Sequence, residues 1–457
     1  MKSAVIFFAL LFSYQFLSSQ TTGKRSNVDL TIYNQNLSLI REERTLQLKE
    51  GISTVIIPDI PATIDGTSLH FVSLTAPTSV RVLEQNYQYD LVDQNKLLSK
   101  YLGKTVEFVR INEETKKEFT VSGTLLSNVG GIVAEVNGKI EINPAGRIVL
   151  PSLPEGLIAK PQLEWMVENE KQGEHKTEIS YLAGNLSWLC NYVALINKDD
   201  NKLDVTGWVT ITNNSGTSFK NAGLKLVAGD VNIVREKIDP YQRYGREDMV
   251  MAMKSEPQFE QSELFEYKLY SLKRKADINT DETKQMELAS GKNVDAKKVF
   301  IYDGAKESKV GVYVTFKNEQ KAGLGIPLPK GKVRVYKKDN DGKEQFIGED
   351  QIDHTPKDEE LKLYLGNAFD IVGERTQKDR RDKGWHVIEE TYEIKLRNHK
   401  KETVEVLVYE HPGRWREWEI LRESDTWEKV DQTTIKFPVK VKQDEEKVIT
   451  YTIRYEW

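Results

Sequence analysis

Histidine, cysteine and a few acidic or aromatic runs are the residues through which this chain could act on a ligand. Its six histidines (His70, His175, His354, His386, His399 and His411) show neither HxH nor HxxxH spacing, so the sequence sets no two of them on one face for a metal ion. The single cysteine, Cys190, excludes an internal disulfide, a multi-cysteine zinc site and a CxxC redox pair. Its nearest histidine in sequence is His175, and it reads as a small buried apolar residue. The motifs GxSxG, HExxH, GxxxxGK[ST] and GxGxxG do not occur, so no cofactor is expected. Two runs carry candidate ligand chemistry. Asp339, Asp341 and Glu344 place carboxylates around Gly342, a faint likeness to a calcium loop, although hairpin-turn chemistry accounts for the same residues. Trp415 and Trp418, flanked by Arg414, Arg416 and Arg422, would offer aromatic faces to sugar rings. Three apart on a strand, they also suit opposite faces, each capping an edge of the core.

The elements that must position these residues are strands. After residue 27 the dominant period is two: Val28, Leu30 and Ile32 share one face, and Leu46 and Leu48 continue the alternation, as half-buried strands require. A β domain is expected over 27–103, ending in one short helix. Asp93 is placed as its N-cap, Leu97, Leu98, Tyr101 and Leu102 as its apolar face, and Gly103 as its left-handed end. Five short, closely spaced strands over 104–150 suggest a small SH3-like barrel, with Asn137-Gly138 as a hairpin turn. Residues 151–156 read as a linker, and 157–238 as a central β-sandwich region with a turn at Asn213–Gly216. Residues 239–262 lack alternation, include MVMAM and read as a linker. A C-terminal β-sandwich is expected over 263–457, with a second hairpin turn at Asp341-Gly342. The fold class is mainly β: antiparallel sandwich domains, a small barrel and one short helix.

Composition narrows function without assigning it. The chain has 457 residues, 65 Lys plus Arg against 70 Asp plus Glu, and a net charge of -5, a balance that argues against a dedicated nucleic-acid binder. Lys2 followed by AVIFFALLF and a polar exit around Ser18, Ser19 and Gln20 reads as a signal peptide over 1–19. Its apolar stretch is shorter than the roughly 20 residues of a membrane-spanning helix. No later run reaches that length, so no transmembrane span is expected in the mature chain, and the location expected is periplasmic or secreted.

The wording of several stretches resembles a known family. VDLTIYNQNLSLIREERTLQL, VIIPDIPATIDGTSLHFVSL and VRVLEQNYQYDLVDQNKLLSKYLGKTVEF are similar to the N-terminal part of exported bacterial proteins of the mucoidy-inhibitor-A-like kind. ISYLAGNLSWLCNYVALIN, DVTGWVTITNNSGTSFKNAGLKLVAGDVN, NAFDIVGERT, YEIKLRNHKKETVEVLVYEH and TYTIRYEW resemble their C-terminal domain of unknown function. The resemblance brings no catalytic or binding residues with it, and the coiled-coil segment of some members is absent. What it implies is an envelope protein with a link to surface polysaccharide. The expectation is therefore a non-enzymatic exported β-protein acting by binding or assembly, its partner an envelope protein or a polysaccharide. A hydrolase whose site assembles only in three dimensions is the reading from another class.

Overall fold

The computed structural model describes residues 20–21, 25–154, 157–229, 231–232, 259–264, 267–413 and 417–457. The expected signal peptide, nearly all of the 239–262 linker and Trp415 lie outside them. The protein is mainly β, built from sheets of four, five, eight and thirteen strands, with most pairs antiparallel. Alternation drives these strands: in Leu37–Leu48 the side chains of Ser38, Ile40, Glu42, Arg44, Leu46 and Leu48 are all buried. Each fully buried aliphatic or aromatic side chain of such a strand contributes about 1.5–3 kcal/mol.

The segments expected as separate N-terminal and central regions share sheets. Leu37–Leu48 pairs along its whole length with Gly173–Gly184, and Arg25–Tyr33 runs parallel to Phe219–Ala228. One hydrophobic cluster accordingly runs from Val28 to Leu363. At Gly184-Asn185 the chain leaves the eight-stranded sheet for the thirteen-stranded one, and Asn185 takes the positive φ that this corner needs. The Asn213 side chain fixes a second change of sheet, donating to the carbonyls of Thr217 (2.9 Å) and Ile278 (3.2 Å). In the C-terminal part the large sheet folds over a second cluster, where Phe437 on Ile435–Val441 meets Tyr451 on Glu446–Glu456 at 5.6 Å between ring centroids.

The helix is Gln94–Lys100, capped by Asp93, whose carboxylate accepts from the Lys96 N–H at 2.9 Å. It lies on the five-stranded sheet, burying Leu98 and Tyr101 with Val106 and Phe108. The expected small barrel over 104–150 is corrected by this sheet. Its strands are present, and Asn137 and Gly138 both have positive φ at the hairpin, but the ladder does not close. The two edge strands, Lys139–Ile142 and Arg147–Val149, are too short to meet, and the helix covers the open core instead. An ion pair of 2.6 Å from Arg110 to Glu141 spans part of the gap.

Candidate binding clefts

Two clefts of this protein lie where parallel strand pairs end. Antiparallel neighbours can be joined by a tight hairpin that seals the sheet end, whereas parallel neighbours need a longer crossover and their C-terminal ends can leave a crevice. A large cleft, about 680 Å³, lies beyond the C-terminal ends of Leu186–Ile196 and Gly331–Lys338, which run parallel from Cys190↔Gly331 to Ile196↔Lys337. Two turns form its walls, and side chains lock both. Asn197 Oδ1 accepts from the N–H groups of Asn201 (3.0 Å) and Lys202 (3.1 Å). Opposite, Asp339 Oδ1 accepts from the N–H groups of Asp341 and Lys343 (2.9 Å each), and its Oδ2 accepts from Gln345 Nε2 at 2.8 Å. The Gln345 amide and these backbone donors hold the Asp339 carboxyl below the usual aspartate range.

The walls carry four lysines (198, 202, 337 and 338) against two aspartates (204 and 339), over a floor that includes Leu195 and Leu203. Lys202 is held by Asp295 at 2.5 Å, and Lys337 by Asp200, which also takes Lys298 at 2.5 Å. Burial would raise the Asp200 carboxyl, but these two ammonium groups keep it low. Lys198 and Lys338 make no ion pair among the described residues. With Lys202 and Lys337 so paired, Lys198 and Lys338 are the ammonium groups left for a ligand in this open trough, beside the carboxylates of Asp204 and Asp339.

A second cleft, about 410 Å³, sits beyond the ends of the parallel strands Glu282–Tyr302 and Val404–Glu410. Asp303 and His411 follow these strands directly, and His411 Nε2 stands 2.8 Å from Asp303 Oδ2. Lys306 approaches the same oxygen at 2.9 Å. Burial works to raise the Asp303 carboxyl, yet His411 and Lys306 hold it below its ordinary value. Lys362 lies over the Tyr313 ring at 4.5 Å and the Tyr409 ring at 5.9 Å, and burial lowers its pKa. An Asp–His pair is able to hold and pass a proton. The hydroxyls on these walls belong to Tyr313, Tyr409 and Thr434.

The residues singled out in the sequence are dispersed. Asp339 lines the large cleft, while Asp341 is exposed on the same turn and Glu344 is exposed at the start of the strand Glu344–Ile352. No group of three potential metal ligands forms among the described residues. Trp418 is half-buried, donates to the Gln432 carbonyl at 3.0 Å and packs beside Trp427 with its centroid 6.2 Å away. Cys190 is 1% exposed, and burial pushes its thiol up to about 12.

Two buried charge clusters lay beyond the sequence reading. Glu42 is held by Arg25, Arg44 and Tyr181. Glu410 is held by Arg375 at 2.8 Å and by the Tyr451 hydroxyl. For Glu42 a signal existed: Glu42 and Arg44 share the parity of Ile40, Leu46 and Leu48, so the alternation already put two charges on the core side.

Among the described residues no helix is long and apolar enough to cross a membrane. No characterised protein matches the chain. A family model described as "Domain of unknown function (DUF4139)" matches residues 177–457, a span that contains both clefts just described. With more than half of its length covered, the chain belongs to the DUF4139 family.

Proposed function

We propose that the chain is an exported, non-enzymatic β-protein of the bacterial envelope that acts by binding or assembly, and that its principal contact is an acidic ligand held in the large cleft. The observation that carries this reading is the excess of lysine on walls locked by Asn197 and Asp339. A cleft preformed by turn chemistry loses little entropy when it is filled, and ammonium groups without a carboxylate partner, Lys198 and Lys338, attract acidic groups. Export to the periplasm or the cell exterior rests on Lys2 and the AVIFFALLF run, supported by the likeness of the N-terminal stretches to mucoidy-inhibitor-A-like proteins.

Polysaccharide is the second reading. The cleft favours it by combining Asn293 and Asn340 with the ammonium groups of Lys198 and Lys338, a set suited to the hydroxyls and carboxylates of acidic sugars. The test is recovery from cross-linked cells with the wild-type chain and with the Lys198→Glu/Lys338→Glu double variant. Wild type should retain acidic material, glycan or protein, that the variant loses while melting at the same temperature. Equal recovery by both would remove the cleft from the function.

A further inference from the structure

We propose that the second cleft, beyond the strands Glu282–Tyr302 and Val404–Glu410, binds a small hydroxylated carboxylate, a sugar acid, whose carboxylate sits on Lys362 and Lys309. The inference is independent of the proposed function, which concerns the cleft of Lys198 and Lys338.

The argument starts from Lys362. Its ammonium group stands 4.5 Å from the centre of the Tyr313 ring and 5.9 Å from that of Tyr409, and all three residues line the cleft. An ammonium carries three N–H donors, yet Lys362 makes no hydrogen bond or ion pair among the described residues. The side chain is exposed, so a ligand can reach those donors. The two rings hold the cation in place by attraction to their faces. They also shield it from water on that side, and Glu360 draws on it only from beyond ion-pair distance. A partly desolvated ammonium with no acceptor gains most from a bound anion.

The wall beneath Lys362 is held firmly. A Cβ at position 311 would stand 2.8 Å from the Tyr313 ring, so Gly311 makes room for that ring on the cleft wall. The Tyr313 ring also leans on Tyr364, its partner on the next strand, with 5.2 Å between centroids.

The remaining charges define the ligand. Lys306 is taken up by Asp303, and Asp431 accepts from the Thr433 N–H and hydroxyl at 2.6 and 2.9 Å. Lys309 and Glu307 make no ion pair among the described residues. Two ammonium groups therefore face one unengaged carboxylate, which favours a ligand with a single negative charge. Hydroxyl groups on that ligand would find Glu307 as acceptor, and the imidazole of His411. Its Nε2 is turned to Asp303, which leaves Nδ1 without a partner among the described residues. The volume, about 410 Å³, lies in the range of small-molecule pockets.

The test uses the mature chain with galacturonate, its trimer, galactose and acetate as probes, read by saturation-transfer NMR in the low millimolar range. Lys362→Met keeps an unbranched chain over the rings and removes the charge, whereas Lys362→Arg keeps the charge. Saturable binding of galacturonate is expected, weakened about tenfold or more in Lys362→Met, the scale of one charge-assisted contact, and retained in Lys362→Arg. Binding of the monomer alone identifies a free sugar acid as the occupant; equal or tighter binding of the trimer identifies the end of a chain. The Lys198→Glu/Lys338→Glu variant should bind galacturonate as wild type does. Loss of binding there, and not in Lys362→Met, would move the ligand to the large cleft and overturn this proposal. Galactose or acetate bound as tightly as galacturonate would overturn the ligand class. The absence of saturable galacturonate binding, or a folded Lys362→Met variant that binds as wild type does, would overturn the site.

Discussion

Gly331→Ala probes the origin of the large cleft, because the cleft exists only while two parallel strands end together. Gly331 opens its strand opposite Cys190, and an added methyl group would collide with the Cys190 carbonyl oxygen and lie 3.2 Å from the Tyr192 ring. Neither backbone is free to move aside. Cys190 is also paired with Val209 on its other edge, and the Tyr192 hydroxyl donates to the Pro329 carbonyl at 2.7 Å, pinning the approach to the strand. Overpacking of this kind costs about 1–3 kcal/mol. Loss of the Tyr192 hydrogen bond adds about 1 kcal/mol. The expected destabilisation is therefore about 2–4 kcal/mol. Gly173→Ala is the matched control: its new methyl group would meet nothing within 4 Å, and its backbone is not in the left-handed region. That change should leave stability unaltered or raise it by about 0.4–1 kcal/mol. Urea unfolding followed by tryptophan fluorescence separates the two. A Gly331→Ala midpoint equal to that of wild type would refute the parallel pairing and the cleft built on it.

Two further outcomes follow from buried groups. Burial alone would raise the Glu42 carboxyl, but Arg44, Arg25 and the Tyr181 hydroxyl keep it below its ordinary value in the folded protein. Its contribution is therefore full above the unfolded glutamate pKa of about 4.3 and is lost as pH falls through the lower folded value. Glu42→Gln should cost about 3–5 kcal/mol at pH 7, and the gap from wild type should close in acid; a gap unchanged down to the lowest workable pH would contradict the assignment. Cys190, with its thiol buried and raised to about 12, should react with alkylating reagents only as fast as the protein unfolds. Rapid modification under native conditions would show an open route to it.

Local features were legible in the sequence. Asp93 before an apolar helical face and Gly103 after it marked the helix, because capping is decided within a few residues. Asn137-Gly138 marked its hairpin for the same reason, since both positions need positive φ. Strand existence followed from alternation, but strand partners did not. Ser38 meets Ala183, and Cys190 meets Gly331, through pairings that no short-range signal encodes. The clefts depend on those pairings, so the chemistry of Lys198 and Lys338, or of Asp303 and His411, was invisible as a set. The small barrel was overread because five short strands specify a curled meander and not its closure, and the helix took the place of the missing ladder.

The most direct measurement is site-specific photo-crosslinking in living cells from position 340, where Asn340 lines the large cleft, with Thr115 on an exposed turn as the reference position. A cross-linker at 340 should give a discrete adduct with an acidic glycan or an acidic protein, absent from 115 and weakened by salt as screening of the lysines requires. No adduct at 340, or the same adducts from both positions, would contradict the claim that this cleft is where the protein binds.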